Sequence, residues 1–169
     1  MNSDQSTVYA YSDGAAIGNP GPGGYGVVLV NGDARNEMSG GFRHTTNNRM
    51  ELLGAIRALE ILKRRCRVIL TTDSRYVVDG ITKGWAASWR SNGWRRGKRG
   101  KALNPDLWDR LLNLVEEHDV TFEWVRGHAG HAENERCDQL ANMAAHGTEL
   151  DIDEGYERSL PVTPHRPTR

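Results

Sequence analysis

Cysteine is scarce in this chain of 169 residues, which contains only Cys66 and Cys137. Two cysteines do not form the disulfide framework typical of small secreted proteins, so we expect reduced thiols and a cytoplasmic protein. Long hydrophobic runs are also missing, and the longest, such as residues 26–30, are far too short to cross a bilayer. The first residues lack the basic stretch and apolar segment of a secretory signal. Length and composition therefore favour one soluble globular domain without a membrane partner.

Acidic residues are absent from one long segment, although the formal net charge is zero, with 22 basic and 22 acidic residues. Residues 80–105 carry seven basic residues and no acidic one, whereas residues 149–157 carry five acidic residues and no basic one. Such charge asymmetry often marks a nucleic-acid-binding protein. The basic segment also contains Trp85, Trp89 and Trp94, whose rings are suited to stacking on sugars or bases.

Hydrophobic periodicity and turn residues predict the element order β-β-β-α-β-α-α-β-α, which indicates an α/β fold: a mixed sheet with helices on its faces. The predicted strands are 7–13, 25–30, 35–43, 67–72 and 119–126, and the four helices of this order are 47–64, 74–83, 104–117 and 134–146, to which a further short helix at 85–91 is added. The glycine- and proline-rich residues 18–24 indicate a turn-rich connection, and residues 93–102 an exposed loop. Trp108 and Trp124 lie in predicted elements and are interpreted as core residues.

The hydrophobic pattern stops after Gly147. We therefore predict one domain over residues 1–147 and a disordered tail over residues 148–169. The tail is acidic at first and then proline-rich, with Pro161, Pro164 and Pro167. An acidic tail can compete with a nucleic acid for a basic segment, but we favour the interpretation that this tail has no role.

Four acidic residues lie in polar insertions that interrupt the hydrophobic pattern. Asp13 ends one predicted strand, Asp73 directly follows another, Glu51 lies just inside a helix start, and Asp138 lies on the last predicted helix. Taken singly, each has an ordinary structural explanation: a turn, a helix cap, a solvated helix face or an ion pair. Carboxylates from strand ends and helices together are typical of sites for hard divalent cations, and Mg²⁺ prefers few carboxylates together with waters and phosphates. The pattern therefore favours metal-dependent phosphate chemistry.

Two other kinds of site are disfavoured by spacing. The glycine-rich residues 18–26 lack the Gly-Lys-Ser/Thr ending of a P-loop and lead into a strand rather than a helix. His128, His131 and Cys137 have no fourth ligand at a spacing normal for zinc. A histidine such as His128, in a glycine-containing loop, is better suited to proton transfer or product release.

Five motifs together closely resemble those of bacterial type 1 ribonuclease H. They are YSDG at 11–14, GNPGPGGYG at 18–26, TTNNRMEL at 45–52, TDSRY at 72–76 and GHAGHAENERCD at 127–138. The resemblance runs in order from about residue 7 to 146. It implies a ribonuclease H-like fold: a five-stranded mixed sheet, strand order 3-2-1-4-5, flanked by helices on both faces. It also implies endonucleolytic cleavage of the RNA strand of RNA–DNA hybrids, leaving 5′-phosphate and 3′-hydroxyl ends.

The resemblance also assigns the catalytic residues. Asp13 resembles the carboxylate that bridges two metal ions, Glu51 and Asp73 resemble ligands of one ion, and Asp138 resembles a ligand of the other. The implied cofactor is Mg²⁺, two ions during catalysis, with Mn²⁺ as a possible substitute. His128 resembles a loop histidine that assists proton transfer or product departure.

A second set of residues resembles the family's nucleic-acid contacts. Asn19, Asn47 and Asn48 resemble residues that read the minor groove of the hybrid, and Thr46 resembles part of a pocket for a DNA phosphate. Residues 84–103 resemble a basic handle that grips the DNA strand. Its implied contact residues are Trp85, Trp89, Trp94, Arg95, Arg96, Lys98 and Arg99. The handle departs from the family pattern in an extra Gly84 and in its richness in arginine.

Two other classes of function stay open from the sequence. One is a hybrid-binding module that has lost its chemistry, and the presence of all four carboxylates and His128 argues against it. The other is a DNA exonuclease or strand transferase with a related metal site, which the asparagines and the handle disfavour. We expect a monomer whose partner is an RNA–DNA hybrid duplex.

Overall fold

A five-stranded mixed sheet organises the protein, whose computed structural model describes residues 6–161. The strands are β1 (Val8–Ala16), β2 (Gly21–Asn31), β3 (Ala34–Thr45), β4 (Arg67–Thr72) and β5 (Asp119–Trp124). The helices are α1 (Asn47–Glu60), α2 (Arg75–Thr82), α3 (Trp85–Ser91), α4 (Pro105–Glu117), α5 (Ala132–Ala145) and α6 (Glu154–Ser159), with a 3₁₀ turn at Gly97–Arg99. The strand order is β3-β2-β1-β4-β5, which confirms the predicted α/β fold and topology.

The sheet combines two pairing directions. β1, β2 and β3 form an antiparallel meander, whereas β4 pairs parallel with both β1 and β5. Because β1 and β4 are parallel neighbours, residues at their carboxyl ends lie at the same edge of the sheet. This arrangement brings the segment of Asp13 beside the segment of Asp73.

Helices cover both faces of the sheet. α1 packs on β1 and β2 and contacts α4, while α5 packs on β1, β2 and β3. The main core lies beneath α1 and α4 and contains fully buried Met50, Ile56 and Trp108. A smaller cluster of Val28, Cys137 and Leu140 joins α5 to the sheet. Within residues 6–161, no helix combines the length and apolar character needed to cross a membrane.

Three predicted boundaries were wrong. β1 continues through Asp13 and Gly14 to Ala16, and β2 begins at Gly21, so most of the predicted turn at 18–24 is strand. β2 requires glycine where α5 lies directly on the strand, because a Cβ at Gly26 would come within 2.3 Å of the Cys137 carbonyl oxygen. Helix α1 ends at Glu60, earlier than the predicted residue 64.

The interpretation of Trp124 as a core residue was also wrong, whereas Trp108 is fully buried as predicted. Trp124 is the last residue of β5 and is 38% exposed. Strand alternation places it on the same face as Val120 and Phe122, which pack against the core. It nevertheless lies at the end of an edge strand, where its indole N–H donates to the Asp73 carbonyl oxygen at 2.9 Å.

The predicted disorder from residue 148 was wrong for residues 148–161, which we call the C-terminal strap. Asp151 forms a parallel bridge to Phe42 of β3, and α6 follows it. Buried Asp153 accepts hydrogen bonds from Arg49 and Thr45, and Glu157 pairs with Arg43. Local hydrophobic periodicity missed the strap because charged partners more than a hundred residues away hold it. Residues 162–169, which include Pro164 and Pro167, lie outside the described residues.

Candidate active site

Three carboxylates from three elements meet at the carboxyl edge of β1 and β4. Asp13 comes from β1, Glu51 from the second turn of α1, and Asp73 directly follows β4. One carboxylate oxygen from each lies within 4.8 Å of the others. Asp13 is only 3% exposed, so the cluster is held at the inner wall of the site. Oxygen ligands at this spacing are suited to a hard divalent cation.

Gly14 lets helix α1 reach the sheet at this point. A Cβ at Gly14 would lie 2.3 Å from the Glu51 backbone nitrogen, so only glycine accommodates the helix so close to β1. The helix begins at a Thr46 cap, whose hydroxyl accepts a hydrogen bond from the Arg49 N–H at 3.2 Å. The cap places Glu51 one turn further along, beside Asp13.

Asp138 approaches from the opposite face of the sheet. In the β1–β2 ladder Asp13 is paired with Gly26, and the missing side chain at Gly26 admits the backbone of Cys137, next to Asp138. The Asn142 side chain donates to the Asp138 carboxylate at 3.1 Å and to its carbonyl oxygen at 2.9 Å. Asp138 lies outside the group of three but close enough for its charge to raise the pKa of Asp13.

Burial and mutual repulsion perturb these acids strongly. Burial, reinforced by the charge of Asp73, raises the pKa of Asp13 to about 8 despite stabilising hydrogen bonds from Glu51 and Gly14. Burial, together with the charges of Asp13 and Asp73, raises the pKa of Glu51 well above its ordinary value. The Glu51 Oε2 atom is buried and has no hydrogen-bond partner among the described residues. An orphaned buried oxygen among acids is the signature of a site that fits a cation.

His128 lies in the loop between β5 and α5, at the open side of the carboxylates. It is exposed and adopts a left-handed backbone conformation, with φ of 57°. The preceding Gly127 lies against Asp73: a Cβ there would come within 2.7 Å of the Asp73 Oδ2 atom. The loop therefore passes directly over Asp73 while His128 faces solvent, where it can reach a bound substrate.

The three asparagines and Thr46 are brought together at the start of α1. The Asn47 N–H donates to Asn19 Oδ1 at 3.0 Å, and Asn47 Oδ1 accepts from the Ala16 N–H at 2.5 Å. These bonds join the β1–β2 turn to the helix. Asn48 is exposed beside Thr46. The cluster thus forms a small polar platform next to Glu51.

The basic handle is more structured than the predicted loop. After Gly84, whose φ is 74°, α3 leads to Trp94, and an antiparallel bridge joins Arg95 to Lys101. Trp89 packs edge-to-face on Trp108 with ring centroids 6.0 Å apart. Trp89 and Trp94 are therefore partly buried anchors of the handle, whereas Trp85 is largely exposed.

The handle cations differ in their availability. Arg90 pairs with Glu116 and Asp109 of α4, which fastens the handle to the domain. In the part of the chain that the structure describes, no ion pair involves the other cations of the handle. They are Arg95, Arg96, Lys98, Arg99 and Lys101. A cleft of about 480 Å³ lies between Trp85, Trp89 and the arginines.

Comparison with known proteins identifies the family. The RNase H family model matches residues 5–146. Ribonuclease H of Syntrophus aciditrophicus is 60% identical over 152 residues, covering 90% of this chain and 88% of the relative. Ribonuclease HI of a Synechocystis species is 54% identical over 157 residues, covering 92% of this chain and 98% of the relative. This chain belongs to the RNase H family. It is therefore a nuclease of the hydrolase class.

A solved structure from the RNase H family agrees with the fold. The crystal structure of LC9-RNase H1, a type 1 RNase H with the type 2 active-site motif, is 39% identical to this chain. The match has a TM-score of 0.76 and covers 94% of this chain and 82% of LC9-RNase H1.

Sequence analysis did not identify Arg75, Trp124 or Asn142 as residues that hold the acids of the candidate site in place. Trp124 donates to the Asp73 carbonyl oxygen, and the Arg75 guanidinium lies 3.9 Å from the centre of its ring. Asn142 holds Asp138 from one turn further along α5. The spacing of Asp138 and Asn142, four residues apart on a helix, was the available signal. Nothing local to Trp124 signals its contact with Asp73, because Trp124 ends β5 whereas Asp73 follows β4, 51 residues earlier in the chain.

Proposed function

We propose that this protein cuts the RNA strand of RNA–DNA hybrids internally, with Mg²⁺ as cofactor, and leaves 5′-phosphate and 3′-hydroxyl ends. The observation that carries the proposal is that the carboxylates of Asp13, Glu51 and Asp73 converge in a member of the RNase H family. The buried Glu51 Oε2 atom has no hydrogen-bond partner among the described residues. We also propose that the protein acts as a monomer in the cytoplasm.

The four carboxylates would hold the metal ions in the proposed reaction. Asp13, which is almost fully buried and has its pKa raised by the charges of both Asp73 and Asp138, would be the shared ligand, with Glu51 and Asp73 as further ligands of one ion and Asp138 as a ligand of the other. Divalent cations held by these residues would supply activation of a water and stabilisation of the leaving oxygen. Mn²⁺ is expected to substitute for Mg²⁺ because it accepts the same oxygen ligands.

The chain's own residues supply orientation and proton transfer. His128, exposed on its loop, would take up or deliver a proton at the departing product. Asn142 restrains the Asp138 carboxylate, and Trp124 and Gly127 restrain Asp73 from two sides. Restraint of this kind keeps the acids in place before substrate binds, which lowers the cost of organising the site.

The asparagine platform would distinguish RNA from DNA. Recognition of RNA at a given position rests on the 2′-hydroxyl, which both donates and accepts hydrogen bonds. Asparagine amides match it because they also donate and accept. Asn19 and Asn47 already use their Oδ1 atoms on backbone N–H groups, which fixes the side chains and leaves their amide nitrogens to donate. Exposed Asn48 would contribute the adaptable contact.

The handle would bind the DNA strand of the same duplex. Four of its cations that have no ion pair within residues 6–161 are suited to backbone phosphates, namely Arg95, Arg96, Lys98 and Arg99. Exposed Trp85 is suited to stacking on a sugar or base. Trp89 and Trp94 would act by supporting this surface, since both pack against the core. Thr46 would contact a DNA phosphate at the start of α1.

The test labels one strand of an RNA–DNA hybrid at a time and compares Mg²⁺ with EDTA, for the wild-type protein and Asp13→Asn. We expect internal cuts in the RNA strand only, dependent on Mg²⁺ and lost in the variant. Duplex DNA serves as the second substrate. Tight hybrid binding without any cutting would instead support a binding module, and cutting of duplex DNA would support a DNA nuclease.

A further inference from the structure

The C-terminal strap, which lies beyond the family motifs, forms one wall of a groove. The groove, of about 730 Å³, begins at Asn19, Thr46 and Asn48 and ends at Tyr156 and Arg158 of α6. We propose that the strap is part of the hybrid-binding surface and that Arg158 contacts a backbone phosphate of the duplex. This inference rests on the proposed function, because it extends the surface that begins at the asparagine platform.

The strap is held firmly enough to act as a wall. The Asp153 carboxylate accepts from Arg49 Nε at 2.7 Å, from Arg49 Nη2 at 2.9 Å and from the Thr45 hydroxyl at 2.7 Å. Asp153 and Arg49 are both almost fully buried. The Tyr156 ring also packs on His44 with centroids 5.2 Å apart. Because Arg49 lies next to Asn48, the same bonds tie the strap to the first turn of α1.

Two acids of the strap, Asp153 and Glu157, are engaged by other arginines, which leaves Arg158 with Glu154 as its ion-pair partner. Arg49 binds both Asp153 and Asp106, and Arg43 binds Glu157 at 2.8 Å. The Arg158 side chain is 79% exposed and its partner is Glu154, one helical turn away at 3.1 Å. An exposed pair of this kind is weak, so a phosphate can replace Glu154 with little loss.

The remaining wall of the groove matches a nucleic acid backbone. Lys101, from the base of the handle, lines the groove and has no ion pair within residues 6–161. Leu103 and Pro20 add apolar surface, and Leu103 is 67% exposed. Cations beside apolar patches are suited to phosphates and the faces of sugars. The groove is also continuous with the asparagine platform, so one duplex can contact both.

Arg158→Ala tests the inference without disturbing the fold, because its side chain is largely exposed. We expect KM for hybrid cleavage to rise about three- to tenfold with kcat unchanged. The plot of log KM against log salt should flatten by about 0.9, the amount expected for one lost phosphate contact. Arg65→Ala, another exposed arginine but before β4 and away from the carboxyl edge, is the control and should change neither quantity.

Glu154→Gln is an independent variant that should change KM in the opposite direction. Freeing Arg158 from its partner should lower KM, and the gain should disappear when Arg158→Ala is also present. An unchanged salt dependence in Arg158→Ala would overturn the inference, as would a gain from Glu154→Gln that survives loss of Arg158. If wild-type protein cuts hybrids but Arg158→Ala behaves like Arg65→Ala, only this inference fails. If wild-type protein does not cut hybrids, the proposed function fails.

Discussion

The carboxyl group of Asp13 is under two opposing demands. In the proposed function it must be close to Glu51 and Asp73 to share a metal ion with them, yet burial beside those acids raises its pKa to about 8. Without metal, the folded protein therefore holds a carboxyl group that resists ionisation. Catalytic sites often carry such a cost in stability, because residues arranged for function are not arranged for the free protein alone.

Asp13→Asn should therefore separate activity from stability. Hybrid cleavage should fall by more than about 100-fold, the range found when even an outer partner of a metal site is lost. In EDTA at pH 8 the thermal unfolding midpoint should rise, because a neutral amide replaces an acid that repels its neighbours. The exposed Asp33→Asn, in the β2–β3 turn, should leave both measurements near wild type. A lower midpoint in Asp13→Asn would contradict the electrostatic argument.

His128 belongs to a different class of residue, since it lies on an exposed loop rather than in the buried cluster. His128→Ala should slow turnover by about 100-fold, typical of a lost proton-transfer group, and leave measurable cleavage. Single-turnover and steady-state rates would show whether chemistry or product release is slowed. His146→Ala, an exposed histidine after α5, is the control. A completely inactive His128→Ala protein would be inconsistent with an assisting role.

At the scale of elements, the handle combines a fixed base with available charge. Arg90 is occupied by Glu116, and Trp89 packs on Trp108, so these residues hold the handle in place. The cations beyond them project from a short bridge between Arg95 and Lys101. The element thus combines a packed base with exposed cations suited to the proposed phosphate contacts.

Removing the four central handle charges should weaken substrate binding rather than chemistry. Alanine at Arg95, Arg96, Lys98 and Arg99 together should raise KM at least about tenfold, and each lost phosphate contact should flatten the salt dependence by about 0.9. Kinetics at several salt concentrations would measure both effects. Alanine at four exposed cations at the amino end of β4 and in the segment before it is the matched control. These are Lys63, Arg64, Arg65 and Arg67. An unchanged salt slope would show that the handle does not contact phosphate.

The junction of α1, α4 and the strap predicts a response to acid. Burial alone would raise the pKa of Asp106, but hydrogen bonds and charge from Arg49 outweigh it and lower the pKa. An aspartate in the unfolded chain has a pKa of about 3.9. The stabilising contribution of the Arg49–Asp106 pair is therefore fully present above that pH, and it is lost as the pH falls towards the lower pKa of Asp106 in the folded state. Wild-type protein should therefore lose stability below about pH 4.

Asp106→Asn should show a smaller drop in unfolding midpoint between pH 5 and pH 3, because the titrating group is gone. Thermal unfolding at both values would measure it. Asp119→Asn, an exposed aspartate at the start of β5, should keep the wild-type drop. An equal drop in Asp106→Asn and wild type would show that the Arg49 junction does not contribute to acid sensitivity.

At the scale of the whole molecule, we expect metal binding and folding to be coupled. The acids that form the site come from β1, α1, the end of β4 and α5, and they meet only in the folded chain. A ligand that binds only the folded state raises its stability in proportion to the logarithm of ligand concentration. The carboxylates of the cluster repel one another, and a bound cation relieves that repulsion, which makes this coupling larger.

Mg²⁺ should therefore raise the unfolding midpoint of the wild-type protein in a concentration-dependent way, reversed by EDTA. The gain should be much smaller in Asp13→Asn, which lacks the shared ligand. Calorimetry across a range of Mg²⁺ concentrations would test both statements, with Asp33→Asn as the control. A midpoint indifferent to Mg²⁺ in wild type would contradict metal binding at these carboxylates.

Much of the fold was predictable because the elements carry strong local patterns. α3 and β4 match the predicted bounds, and the strand order follows the resemblance. The errors have a common cause, namely contacts made from far along the chain. β2 begins early because α5 packs on its glycines, and the strap is ordered because Arg43 and Arg49 hold its acids. Local periodicity carries no information about such partners.

The candidate site divides in the same way. Sequence motifs alone predicted the family and pointed to the four acids, His128 and the platform asparagines as candidate site residues, because these residue types at these spacings are specific in themselves. Only the tertiary structure decided which charges are available: Arg49 and Arg90 form ion pairs, whereas Arg95 and Arg99 form none within residues 6–161. It also decided that Asp13 and Glu51 resist ionisation, and that the C-terminal strap completes a groove. A charge is neutralised or perturbed by its neighbours in space, and folding determines those neighbours.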